Sequence, residues 1–131
     1  MQDSFRRSHL TLPLPGSPLA AAVAVCTFTA TQKTRIHAAQ LCLSDSGTGA
    51  GGTEVTIKVN GVAITAGGDL LIASAAPGLT KSVTVSKGSN QFPGGALLNI
   101  GDVVTVDIAS VSGTNAPKAG FVVLDVVQVD V

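Results

Sequence analysis

From Ala20 onward the chain is built of short runs in which apolar and polar residues alternate with period two, the spacing of half-buried strands. Residues 20–30, AAAVAVCTFTA, are apolar on both parities before Thr27, Phe28 and Thr29 alternate. A strand buried on both faces reads this way. Residues 33–43 place Ile36 and Ala38 on one face and Arg35 and His37 on the other. Parity changes near Ala39, after which Leu41 and Leu43 are the apolar set, as a bulge allows. The stretch SDSGTGAGGT, residues 44–53, is a loop by composition. Val55, Ile57 and Val59 then alternate inward, Asn60-Gly61 is the strongest hairpin signal in the chain, and Val62 and Ile64 lead away from it. Further strands fall at 69–75, 80–86, 96–100, 102–111 and 120–131. Both parities of the last are largely apolar, which marks a central strand. No stretch has helical periodicity. About eight short antiparallel strands with regular turns indicate an all-β sandwich or barrel.

The first nineteen residues read differently. MQDSFRRSHLTLPLPGSPL is punctuated by Pro13, Pro15, Gly16 and Pro18. These break a helical signal-peptide core, and the apolar run after Pro18 is too short to span a bilayer. The expected organisation is an extended N-terminal arm over 1–19 and a β-sandwich domain over 20–131. Fixing such an arm costs on the order of 20–35 kcal/mol of conformational entropy, and extended it reaches about 60 Å. It is therefore expected to lie on neighbouring subunits. Phe5, Leu10, Leu12 and Leu14 would be its apolar anchors, with Arg6 and Arg7 meeting carboxylates.

Composition sharpens this picture. Eight basic and eight acidic residues cancel, which gives no reason to expect nucleic acid or a membrane surface. Only 12% of residues are charged, about half the usual share, so part of the surface is expected to be buried against other subunits. Cys26 and Cys42 both lie in apolar stretches. If their segments paired through a turn near Thr31-Gln32, Cys26 would face about His37 and not Cys42, so two free thiols in a reducing compartment are expected.

Catalytic chemistry finds no foothold, and no enzyme activity or cofactor is expected. The carboxylates that could form a hydrolytic pair, Asp102 and Asp107 among them, sit at a strand entrance or alternate with valines. His37 has no nucleophile-elbow sequence to serve. GTGAGG, residues 47–52, lacks the Lys-Ser/Thr ending of a phosphate loop and precedes a strand. Asp45, Asp69 and loop carbonyls form no ligand-dense calcium motif. With no Trp or Tyr, the aromatic platform of a sugar-binding module is missing. Phe92, in the SNQFPGG turn, is the one loop aromatic of the body, and it is expected either to cap the sandwich or to contact a partner through its loop.

The Ala/Val/Thr/Gly-rich body, the NGVAI hairpin, and LLNIGDVVTVDI followed by a terminal GFVVLDVVQVDV resemble the small jelly-roll structural proteins of tailed-bacteriophage virions. The resemblance spans about residues 20–131, and its motifs are generic. It implies a jelly-roll-like antiparallel sandwich and, with the arm, a capsid cement or decoration protein. Such a protein would assemble in the host cytoplasm and sit on the capsid surface of the virion. Its partners would be the major capsid protein and its own copies, as a homotrimer. The alternative is a receptor- or glycan-binding tip domain of a tail or fibre.

Overall fold

A computed structural model describes the backbone of residues 5–85 and 95–129, and side chains from Ser8 onward within them. Phe92 lies outside the described residues. Among the described residues ten strands follow in order: β1 (Phe5–Leu14), β2 (Ala22–Thr29), β3 (Thr34–Leu43), β4 (Gly52–Val59), β5 (Val62–Ala63), β6 (Leu71–Ala73), β7 (Thr80–Thr84), β8 (Ala96–Leu98), β9 (Val103–Ser110) and β10 (Gly120–Val129). They form two antiparallel five-stranded sheets packed as a sandwich. One has the order β1-β10-β3-β7, with β8 also on β3; the other has β2-β9-β4-β5, with β6 also on β4.

The core is aliphatic. Ile36, Leu41, Val122 and Leu124 from the first sheet meet Val55, Ile57, Val104 and Val106 from the second, all essentially inaccessible to solvent. The period-two pattern thus translates directly into two inward faces. The terminal strand is central, between β1 and β3. Asn60 and Gly61, with φ of 50° and 84°, make the tight turn joining β4 to β5. Positive φ at both central positions is what a type I′ turn requires. The bulge in β3 lies at His37, where pairing with β10 jumps from Ala38 to Ile36.

Three expectations need correction. Residues 5–14 are not a free arm: they form β1, paired with β10 from Phe5 opposite Val129 to Leu14 opposite Gly120. Leu10, Leu12 and Leu14 alternate with Thr11 and Pro13, which is strand periodicity. Pro13 is tolerated because, among the described strands, β1 lies at the edge of its sheet. Leu12 and Leu14 are 6% and 5% exposed and belong to the core, and Leu19 is buried as well. Secondly, β2 and β3 do not pair; Thr29 to Thr34 crosses between sheets. Thirdly, the 20–30 run is not central. β2 is the margin of its sheet, and Val23 is 78% exposed. Solvent faces an apolar strand that the pattern places in the interior.

Candidate functional site

With β1 built into the sandwich, the expected contact residues divide. Leu12 and Leu14 are committed to the chain's own interior, and Leu10 packs partly against it. Neither leucine of the core pair is available as an anchor for a neighbour. Phe5, Arg6 and Arg7 lie on β1 opposite Val129, Gln128 and Val127, and their side chains lie outside the described residues.

The carboxylates are engaged in holding turns and strands. Asp102 accepts from the Asn60 side-chain amide (3.0 Å) and the Asn99 amide (2.8 Å), which hold its carboxyl below the usual range. Asn60 in turn accepts from the Val103 amide, so this network fastens the β4–β5 turn to the start of β9. Asp107 faces outward on β9, between Lys58 (2.8 Å) and the Ala24 amide (2.8 Å). Burial raises its carboxyl, but the hydrogen bonds and charge of Lys58 and Ala24 outweigh this, and the net shift is downward. Five residues of strand separate Asp102 from Asp107, roughly 16 Å. That is beyond the spacing of a glycosidase pair.

An open, shallow cleft borders the loop after β3 and the segment before β10. Its volume is about 660 Å³, and it is lined by Ser17, Pro18, Asp45, Thr48, Asn115 and Lys118, among others. Asp45 organises it. The carboxylate accepts from the Lys118 amide (3.0 Å), the Gly47 amide (3.0 Å) and the Ser44 hydroxyl (3.2 Å), the backbone bond from Lys118 doing most to lower its pKa. Asn115 donates to the Thr48 hydroxyl. These polar groups are satisfied by each other, and they stitch the 44–50 loop to the segment before β10. Sequence reading placed Asp45 in a loop but had no means of pairing it with Lys118, seventy-three positions away.

Among the described residues no group of His, Cys, Asp and Glu has the proximity of a metal site. His9 stands on β1 opposite Asp125, and His37 in the β3 bulge. Cys26 on β2 and Cys42 on β3 belong to different sheets, are free, and have thiol pKa values raised by burial. Such thiols are poor nucleophiles. Cys26 donates to the Pro13 carbonyl (2.9 Å), tying the two sheets together at the β1–β2 side.

β2 presents an uncharged apolar margin, and the outer face of its sheet is threonine-rich, with Thr27 opposite Thr105 and Thr56 opposite Asp107. No family model, curated protein or solved structure matches the chain.

Proposed function

We propose that this chain is a non-catalytic structural subunit of a virus particle, a cement or decoration protein bound to the outer shell. The observation that carries the reading is the strand order. The chain passes between sheets so that β1-β10-β3-β7/β8 faces β2-β9-β4-β5/β6. Such crossing is in keeping with a jelly roll, an architecture used by viral capsid proteins, lectins and cupins. Fold alone does not choose among these, and the residues narrow the choice. A cupin-type site needs a cluster of metal-ligating side chains inside the sandwich, whereas the inward residues here are mainly aliphatic, and the buried polar ones beside them, Thr53, Thr65 and Ser112, form no His/Cys/Asp/Glu cluster among the described residues. A lectin draws on exposed aromatic rings; the sequence has no Trp or Tyr, and the cleft beside Asp45 has no aromatic in its lining. Low charge and an apolar sheet margin suit a surface that is covered in an assembly.

The mechanism differs from arm stapling. With β1 inside the sandwich, the domain acts as a rigid block whose margins and outer faces carry the contacts, with shell protein on one side and its own copies on another. The test is biochemical. Peptide mapping of purified particles is expected to find the chain at high copy number, and particles made without it are expected to release their genome at lower temperature. Absence from particles would refute the reading, and specific capture on a glycan array would replace it with a receptor-binding tip.

A further inference from the structure

We propose that the Cys26–Ala30 edge of β2 is a self-association seam, joining two copies of this chain through an antiparallel β2–β2 pair about a two-fold axis. The proposal deepens the assembly reading, but its geometry stands independently.

The margins of the sandwich are not alike. β1 carries Pro13 and His9, with Arg6 and Arg7 in its sequence; β7 carries Lys81; β5 and β6 are two and three residues long. Proline, charge and shortness are the means by which sheet edges are kept from pairing with other chains. β2 has eight residues, no proline and no charge, and no Asp, Glu, Lys or Arg occurs between Arg7 and Lys33. Its irregularity, between Ala22 and Cys26, leaves Cys26–Thr29 in unbroken register with Val106–Val103.

The backbone direction is fixed by Ala30. Its N–H donates to the Asp102 carbonyl and its carbonyl accepts from Gly101, both at 2.8 Å, so its peptide groups face the β9 side. Peptide groups alternate along a strand. Phe28 and Cys26 therefore also face β9, and the N–H and C=O of Thr27 and Thr29 point away from it. A second copy arriving antiparallel supplies the complementary set, with Thr27 of each opposite Thr29 of the other. Phe28 then meets Phe28 at the two-fold, in the close, non-hydrogen-bonded pair. Phe28 is only half-buried against its own core, so ring surface remains for the partner to cover. Aromatic and threonine cross-strand pairs are favourable neighbours, and an uncharged edge meets its own copy without repulsion. The trimer implied by the resemblance would require β2 to meet a different margin in a head-to-tail contact, and the other margins carry the blocks just described. The seam is short, so the dimer is weak and concentration-dependent.

The test is sedimentation of the full chain under reducing conditions, from dilute to millimolar, with amide hydrogen exchange at both extremes. The average mass is expected to rise toward that of a dimer, while the Thr27 and Thr29 amides exchange at least about tenfold more slowly in the concentrated sample. The double variant Thr27→Lys, Thr29→Lys places like charges across the seam and is expected to stay monomeric with an unchanged melting temperature, since both side chains are exposed. A wild-type chain that is monomeric throughout overturns the proposal, as does a dimer whose Thr27 and Thr29 amides are not slowed. Protection of these amides only by a foreign extended peptide also overturns it. If the double variant fails to fold, the wild-type exchange profile decides alone. None of these measurements involves a particle, so failure here and failure of the shell reading are separate results.

Discussion

Replacing Leu12 by alanine separates a strand from an arm. In the structure Leu12 is 6% exposed, stands opposite Val122 on β10, and belongs to the same core as Leu14 and Leu124. Trimming its isobutyl side chain to methyl removes buried apolar surface and leaves a void that the edge strand can only partly close. Buried Leu→Ala changes cost about 2–5 kcal/mol; an edge strand can relax, so about 2–3 kcal/mol is expected here. Urea unfolding is the assay. With a slope of about 1.5 kcal/mol/M, the midpoint falls by roughly 1.3–2 M at unchanged slope. Thr11→Ala, one position away on the exposed side of β1, is the control and is expected to shift stability by less than about 0.5 kcal/mol. An arm that rests on neighbouring molecules would leave both variants alike in the isolated protein. A Leu12→Ala midpoint no lower than that of Thr11→Ala therefore refutes the placement of β1.

Asp107→Asn removes the charge facing Lys58 and weakens the acceptor for the Ala24 amide, at an expected cost of about 1 kcal/mol at neutral pH. Because the Asp107 carboxyl is lowered on folding, its contribution is complete above the ordinary carboxylate range and is lost as pH falls through the lowered value. The stability difference between wild type and this variant, measured by urea unfolding, should accordingly shrink under acid conditions; a constant difference from neutral pH down through the carboxylate range contradicts the assignment. Gly47→Ala is expected to be among the most damaging single-methyl changes. Its φ is +71°, and a Cβ there would overlap the Asn115 carbonyl oxygen and the Ser112 side chain. A loss of more than about 2 kcal/mol is expected, and a thermal melt within about 2–3 °C of wild type, the shift that goes with less than about 1 kcal/mol, contradicts the loop packing. Ala24→Gly runs the other way. Ala24 has φ of 53°, a left-handed conformation that costs an L-residue about 1 kcal/mol, which offsets the entropy glycine loses on folding. Stability is expected to stay within about 0.5 kcal/mol of wild type, whereas a marked loss would mean the bulge is not left-handed in solution.

The elements that could be read from the sequence are those whose fate is decided by neighbours in the chain. Alternation at Val104, Val106 and Ile108 and the doubly apolar terminal strand pointed to the interior and to the central position of β10. Asn60-Gly61 marked its turn, because the required positive φ values are a local property. The N-terminal strand was hidden by its prolines. Pro13 argues against a strand in general, yet it is compatible with an edge, and only the pairing with β10 shows that β1 is one. The 20–30 run misleads in the opposite direction. Its composition is that of an interior strand, but burial is a property of the sheet order, which places β9 on one side of β2 and no strand of the described residues on the other. The Asp45–Lys118 contact, like Asp107–Lys58, joins residues whose proximity depends on the complete winding, so no local spacing reveals either.

The bulge and the apolar margin in β2 have one physical explanation. A long, flat, uncharged edge pairs indiscriminately, and a strand interrupted partway can pair only over its regular portion. Between Ala22 and Cys26 two extra residues are accommodated opposite β9, the Ala24 amide donates to the Asp107 carboxylate on β9, and Val23 is pushed into solvent. The regular edge is thereby cut to the few residues after Cys26. Asp107 thus does more than neutralise Lys58: by capturing the Ala24 amide it fixes where the edge stops. Asp102 and Asp45 likewise serve turns and loop junctions, so the carboxylates of this sandwich fix where its strands begin and end. The same restriction makes any β2 seam weak, because only the few residues after Cys26 offer regular pairing.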